Sequence, residues 1–203
     1  ERVYIVFDQG MGRSDFDQSN LLNRLGYSYN DVGDIIGYSY DAQGRIDWEL
    51  ISLEGFGVVR IESEFDGVSG LVGERRYNPG RQDQFMQRFE YDADQQLVRS
   101  WSSLDGRIWH REIERSYFHD GNPRRDALGH YAVQGVDYTR NVHGNLIGIN
   151  SPLLQAGDPG MDGLAADRMT IPGDVFGMHL HAYGGQFGRS DSPFASDADL
   201  HPG

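Results

Sequence analysis

The chain of 203 residues has no cysteine, so no disulfide framework holds it together and its redox compartment is left open. It has no lysine either, since all 18 of its basic residues are arginine. Arginine pairs bidentately with carboxylates along strands, but nothing in the sequence explains why lysine is wholly excluded. Positive charge is scarce overall. Against 31 acidic residues it leaves a formal net charge of −13, and a chain without a basic stripe is not expected to bind nucleic acid. No apolar run approaches the ~20 residues that a membrane-spanning helix needs. No signal-peptide pattern precedes Glu1 and the chain begins mid-pattern, so a processed product or a segment of something longer is expected. Catalytic signatures are missing as well: there is no nucleophile elbow, and no Ser, His and Asp set is tied together by spacing. A non-enzymatic protein without a cofactor is therefore expected, with self-processing left to a longer parent protein.

What the chain does have is glycine and tyrosine, 27 and 11 residues, while hydrophobic residues make up only 38%. That composition fits many turns and many strands. The two residues recur together in a phrase, best seen at Tyr38-Ser39-Tyr40-Asp41-Ala42-Gln43-Gly44-Arg45-Ile46. Altered copies stand at Tyr27-Ser28-Tyr29-Asn30-Asp31-Val32-Gly33-Asp34-Ile35, at Phe89 to Leu97 around Tyr91 and Asp92, and at Tyr138 to Leu146 around Asn141 and Gly144. Weaker copies run from Tyr117 to Pro123, keeping Gly121, and from Phe65 to Leu71, where the loop is one residue longer. The anchor positions are 29, 40, 65, 91, 117 and 140, mostly some 25 residues apart. A period in this range marks a repeat architecture.

Turn chemistry gives the phrase a physical meaning. Asp or Asn can hydrogen-bond its own downstream backbone, and Gly three residues later can take the left-handed conformation that closes a type I turn with a bulge. Each phrase then reads as a hairpin corner, with the aromatic before it facing the Ile or Leu after it across the strand pair. Gln95 occupies the glycine position of one copy, where a side chain costs ~1–2 kcal/mol, so that corner is expected to use another turn. Glu54-Gly55 and Asp105-Gly106 read as two-residue hairpin turns between copies. The expected fold is all-β, built of antiparallel hairpin repeats in a twisted sheet or part of a hollow β-shell. Residues 1–150 form the repeat region, 151–173 an irregular loop, and 174–203 a terminal strand with a flexible tail. Ser19 to Leu25 reads as one helical turn, capped by Ser19 or Asn20 and ended by Gly26. The alternation of Glu112 and Glu114 with Arg111, Ile113 and Arg115 predicts a sheet wetted on at least one side.

Few residues point to chemistry. His179 and His181 are two apart, so on a strand they share a face and are weak candidates for a metal, lacking a third ligand. Asp15 with Asp17, or Asp92 with Asp94, lack the dense oxygen pattern of a calcium loop. Aromatic residues beside polar partners, above all Trp48, Trp101 and Trp109, are candidates for binding glycans or a partner.

The pattern of aromatic, Asp, two variable residues, Gly, Arg or Asn, and Leu or Ile resembles the tyrosine-aspartate (YD) repeat of bacterial Rhs (rearrangement hot spot) proteins and the related teneurins. The resemblance covers residues 27–149, and Asp174 to Tyr183 is similar to a phrase that follows the repeats in many bacterial members. It implies an antiparallel sheet spiralling into a hollow shell that commonly encloses a toxic domain. The paired Asp-Pro motifs of the family's self-cleaving end are absent, since Asp158-Pro159-Gly160 stands alone. The implied protein is a secreted or cell-surface bacterial container or building block. Its repeat turns are carried by Tyr29, Asn30, Gly33, Tyr40, Asp41, Gly44, Tyr91, Asp92, Tyr117, Gly121, Asn141 and Gly144. Its partners would be further segments of a parent chain or identical subunits joined at strand edges, an enclosed toxin, or, on the adhesion reading, glycans.

Overall fold

The computed structural model describes residues 2–14, 16–151 and 173–180. Among them there is no helix. Strands β1 (Val3–Phe7), β2 (Leu25–Asn30), β3 (Ile35–Tyr40), β4 (Ile46–Leu53), β5 (Gly57–Phe65), β6 (Val72–Tyr77) and β7 (Phe85–Tyr91) come first. They are followed by β8 (Leu97–Ser103), β9 (His110–Tyr117), β10 (Pro123–Leu128), β11 (Gln134–Arg140), β12 (Leu146–Ile149) and β13 (Met178–His179). All thirteen stand in one antiparallel sheet in the order in which they occur along the chain. Two compact units are distinguished, Glu1–Glu90 with Trp101–Trp109, and Tyr91–Ser100 with His110–Gly203.

In the first unit, register sorts the side chains into rows. Val6, Tyr27, Gly37, Leu50 and Arg60 lie in one row across β1–β5, and Ser39, Trp48, Glu62, Arg76 and Met86 in the next across β3–β7. The segment between β1 and β2 folds back over this face. Met11 lies on Gly37, where a Cβ would come within 2.4 Å of its methyl carbon, and the Phe16 ring is 6.1 Å from Trp48. Beneath this cover Leu50 and Ser39 are fully buried and Trp48 is 7% exposed, and burying a leucine of this kind contributes ~1.5–3 kcal/mol. Farther along the same face apolar cover gives way to ion pairs. Arg76 reaches Glu64 at 2.8 Å and Glu74 at 2.7 Å, and Arg88 reaches Glu74 at 3.0 Å.

The opposite face carries the rows Ile5, Ser28, Ile36, Ile51, Val59 and Tyr38, Glu49, Ile61, Tyr77, Phe85. It is the more apolar of the two, and its members are half-buried or exposed.

The expected helical turn at Ser19 to Leu25 is not there. Asn20 and Asn23 are left-handed, with φ of 54° and 58°, a conformation that a right-handed helix excludes, and Leu25 already belongs to β2. The segment serves the sheet instead. Paired residues of β2 and β3 run only from Tyr27 with Gly37 to Tyr29 with Ile35, and the segment supplies the partners that β3 lacks beyond them. Gln18 Nε2 donates to Tyr38 O at 2.7 Å, Tyr40 N donates to Ser19 O at 3.2 Å, and Asn20 Nδ2 donates to Tyr40 O at 2.7 Å.

The expected two-residue turns are also longer than read. Between β4 and β5, Leu53 pairs with Gly57, so three residues turn the chain. Between β8 and β9 lie six, 104–109, because the Asp105 carboxylate accepts Arg107 N and Ile108 N and the Ser103 hydroxyl accepts Gly106 N.

In the second unit, β9, β10 and β11 bury two carboxylates. Asp126 and Asp137 are each 3% exposed. Arg115 meets Asp126 in a fork of 2.6 and 2.7 Å, and Tyr138 Oη donates to the same carboxylate at 3.0 Å. Arg125 Nη1 meets Asp137 at 2.5 Å. Since Arg125 and Asp126 are consecutive in β10, the two pairs lie on opposite faces. Of the alternating charges seen in the sequence, Arg115 meets Asp126 on β10, Glu114 meets Arg99 on β8 at 2.8 Å, and Arg111 meets Glu114 within β9. Of the loop expected at 151–173 only Ser151 and Gly173 are described, and residues 181–203 lie outside the described residues.

Candidate functional site

The repeated element is the corner, and its copies share one geometry. At Asn30, Asp41, Asp92 and Asn141 the backbone N–H donates to the carbonyl four residues on, at 3.1, 2.9, 2.9 and 3.0 Å. The carbonyl of the same residue accepts the N–H three residues on, at 3.3, 3.0, 3.1 and 2.9 Å. Its side-chain Oδ1 accepts two further amides, two and four residues on, at 2.9–3.1 Å. One side chain therefore satisfies the donors that the tight turn leaves without partners, which is why Asp or Asn stands at these four positions.

The fourth residue is left-handed in every copy, with φ of 100° at Gly33, 87° at Gly44, 63° at Gln95 and 80° at Gly144. Gln95 thus adopts the shared turn and not another one. The corner after Tyr117 keeps the backbone bonds, with Phe118 in the place of the acid and Gly121 left-handed. There Asp120, one residue before the glycine, accepts Asn122 N instead. At Asp66 the loop is longer by one residue, and Gly70 N donates to Asp66 O.

Hydrogen bonding keeps several of these acids ionised. Burial works against the charge on Asp41, but the backbone and side chain of Arg45 and the backbone of Gln43 outweigh it and hold the carboxyl below the usual range. Asp66 is lowered by the Ser69 backbone and hydroxyl, Asp34 by the Glu54 backbone N–H, and Asp120 by the Asn122 side chain and backbone.

The anchor tyrosines fasten corners to the preceding strand. Tyr40 Oη donates to Leu25 O at 3.0 Å and Tyr117 Oη to Leu97 O at 2.7 Å, each reaching the first residue of the strand before its own. Tyr29 stacks on Tyr4 with ring centroids 4.9 Å apart, and Tyr91 ends β7 beside Asp92. Next to four corners the register slips by one residue, leaving Asp47, Gly73, Arg124 and Ile147 as bulges. The corner at Asn30 has no such slip.

The tryptophans take different surroundings. Trp48 is buried under Phe16 and the Arg60 guanidinium, 4.9 Å from its ring. Trp109 is half-buried beneath Arg88 at 4.1 Å, and its Nε1 donates to Gly106 O. Trp101 is half-buried within β8. His179 is exposed on β13 and His181 lies outside the described residues, among which no three His, Asp or Glu side chains gather as a metal would require.

Sequence reading missed a second repeated device. Asn78 and Asn150 follow β6 and β12, are left-handed (φ 47° and 50°) and are nearly buried. Each donates its N–H to the carbonyl of a residue on the preceding strand and accepts that residue's N–H through Oδ1, Arg60 for Asn78 and Asp137 for Asn150. Asn150 Nδ2 then holds Asp174 at 3.0 Å and Phe176 O at 2.9 Å, which ties the Asp174 segment to β12. The signal available in sequence was an Asn after a strand with Pro close behind, at Asn78-Pro79 and Asn150-Ser151-Pro152.

At the start of the sheet stands β1, which among the described residues pairs only with β2. Val3, Ile5 and Phe7 are 66%, 61% and 58% exposed. Its five residues include no charge and no proline, the usual devices that protect a strand edge.

No protein-family model matches this chain. No curated protein matches it either. Among solved structures it is similar to TcdB2-TccC3, with TM-score 0.56 and 19% identity over 73% of this chain. The TcdB2-TccC3-Cdc42 structure gives 0.53 and 20% over 64%, and a Photorhabdus luminescens Tc holotoxin pore with a substituted TccC3 gives 0.52 and 19% over 64%. At these identities the likeness concerns the fold. This chain spans only 7–8% of the length of those chains.

Proposed function

We propose that this chain is a non-enzymatic YD-repeat segment of a larger secreted β-shell of the toxin-associated kind, joined to further sheet through its strand edges. The observation that carries this reading is the apolar edge at β1, which among the described residues carries no charge or proline and no second strand partner, on a sheet whose strands follow in chain order. Each added hairpin can extend such a sheet without rearranging those before it. The likeness to Tc toxin chains, which are far longer than this one, supports the reading at the level of fold. What such a shell encloses would be set by other parts of the polypeptide.

Sedimentation of the 203-residue chain across a hundredfold concentration range provides the test. An open edge should pair with a second copy as concentration rises, and Ile5→Lys, which puts a charge on β1, should shift association to at least tenfold higher concentration. A wild-type chain that stays monomeric throughout, or an Ile5→Lys variant that associates equally well, contradicts the edge assignment.

A further inference from the structure

The corner frame is constant, but the residue at the neighbouring bulge is not: Asp47, Gly73, Arg124 and Ile147 fill that place. A bulge re-aims the side chain it carries, and bulges are common beside binding sites. At β10 in the second unit this position holds a cation, Arg124. Its neighbours are spent on structure, since Arg115 pairs with Asp126 and Arg125 with Asp137. Arg124 is exposed and makes no ion pair or side-chain hydrogen bond among the described residues. It lines a cavity of ≈ 400 Å³ together with Tyr117, Phe118, His119, Asp137 and Tyr138, within the roughly 300–1,000 Å³ range of small-molecule sites.

The walls are held in place before any ligand arrives. Tyr117 and Tyr138 have committed their hydroxyls, to Leu97 O at 2.7 Å and to Asp126 at 3.0 Å, so their rings are anchored and cost little further ordering on binding. Aromatic faces suit the C–H face of a sugar ring, and a guanidinium suits a carboxylate in bidentate fashion. His119 at the wall supplies a ring nitrogen of the kind that hydroxyls need. A doubly charged phosphate fits less well, because the chain carries −13 overall.

We propose that this cavity binds a carboxylated sugar, with Arg124 on the carboxylate and Tyr117, Phe118 and Tyr138 around the ring. The site lies within the second unit and is independent of the edge-joining role.

Titration calorimetry and ligand-observed NMR on the 203-residue chain test it, with D-glucuronate and N-acetylneuraminate as probes and D-glucose, acetate and inorganic phosphate as controls. At least one acidic sugar should bind at least tenfold more tightly than glucose or acetate. Arg124→Gln should weaken that binding at least tenfold and Arg124→Lys less, while the unfolding midpoint stays unchanged because Arg124 supports no other group. Glucose binding as tightly as the acidic sugars, phosphate or acetate competing equally, full affinity in Arg124→Gln, or no binding of either acidic sugar overturns the proposal.

Discussion

Replacing Asp41 by alanine removes one carboxylate that closes a corner in three places. Oδ1 accepts Gln43 N and Arg45 N, both at 2.9 Å, and Oδ2 accepts Arg45 Nε at 2.6 Å. A hydrogen bond contributes ~0.5–1.5 kcal/mol net, more when its acceptor is charged and less when water can replace the partner. Gln43 is exposed and its amide regains water, whereas Arg45 is half-buried and its amide regains less. The expected loss is about 2 kcal/mol, which in a chain of this size lowers Tm by roughly 4–8 °C. Asparagine keeps an Oδ1 and loses only the charged contact with Arg45, so Asp41→Asn should cost about 0.5 kcal/mol. Asn30 and Asn141 already close corners in that way. Urea unfolding monitored by circular dichroism should show the midpoint order wild type, Asn, Ala at unchanged slope. If Asn is as damaging as Ala, or Ala costs under ~0.5 kcal/mol, the side-chain closure does not hold the corner together.

Gln95→Gly should stabilise the chain by ~0.5–1 kcal/mol, because relief of left-handed strain exceeds the added freedom of the unfolded state; a lower urea midpoint would refute the strain argument. Gly26→Ala would place a Cβ 1.9 Å from Gln9 O, and this clash of backbone with side chain should cost about 1–3 kcal/mol and increase protease cutting within residues 8–24. Arg115→Met leaves Asp126 buried without its fork, an expected loss of ~2–4 kcal/mol that Asp126→Asn in the same chain should partly restore, read from denaturation midpoints. Acid should also weaken the fold. The folded pKa values of Asp34, Asp41, Asp66 and Asp120 lie below the ordinary carboxylate value. Their contribution is therefore complete above the unfolded pKa of about 4 and is lost as pH falls through the folded values. Thermal midpoints should be flat with respect to these groups above about pH 5 and should fall below about pH 4, less steeply in Asp41→Asn.

What the sequence disclosed was local chemistry. Asp41 with Gly44 specifies a corner within five residues, so the hairpins and their alternation could be read before any coordinates. Gln95 misled because the bonds to Asp92 outweigh its strain, and the strength of those bonds does not show in a propensity. The cover over Leu50 was illegible for a different reason. It is held by side chains such as Gln18 and Asn20 reaching backbone atoms 20 residues away, and polar residues in an irregular stretch give no periodic signal. Distance along the chain also hid the pairing of Asn150 with Asp137 and Asp174, since no pattern of spacing links them. Arg124 looked like one arginine among many until the register slip at β10 separated it from its paired neighbours.

The most direct measurement is backbone hydrogen exchange of β1 in the monomeric chain and in the associated form. The account requires that alternate amides of Val3–Phe7 exchange quickly in the monomer, where one side of the strand is open, and become slow on association as a new strand pairs there. Association that leaves those amides fast would show that the chains join elsewhere, and that β1 is not the joint through which this sheet is extended.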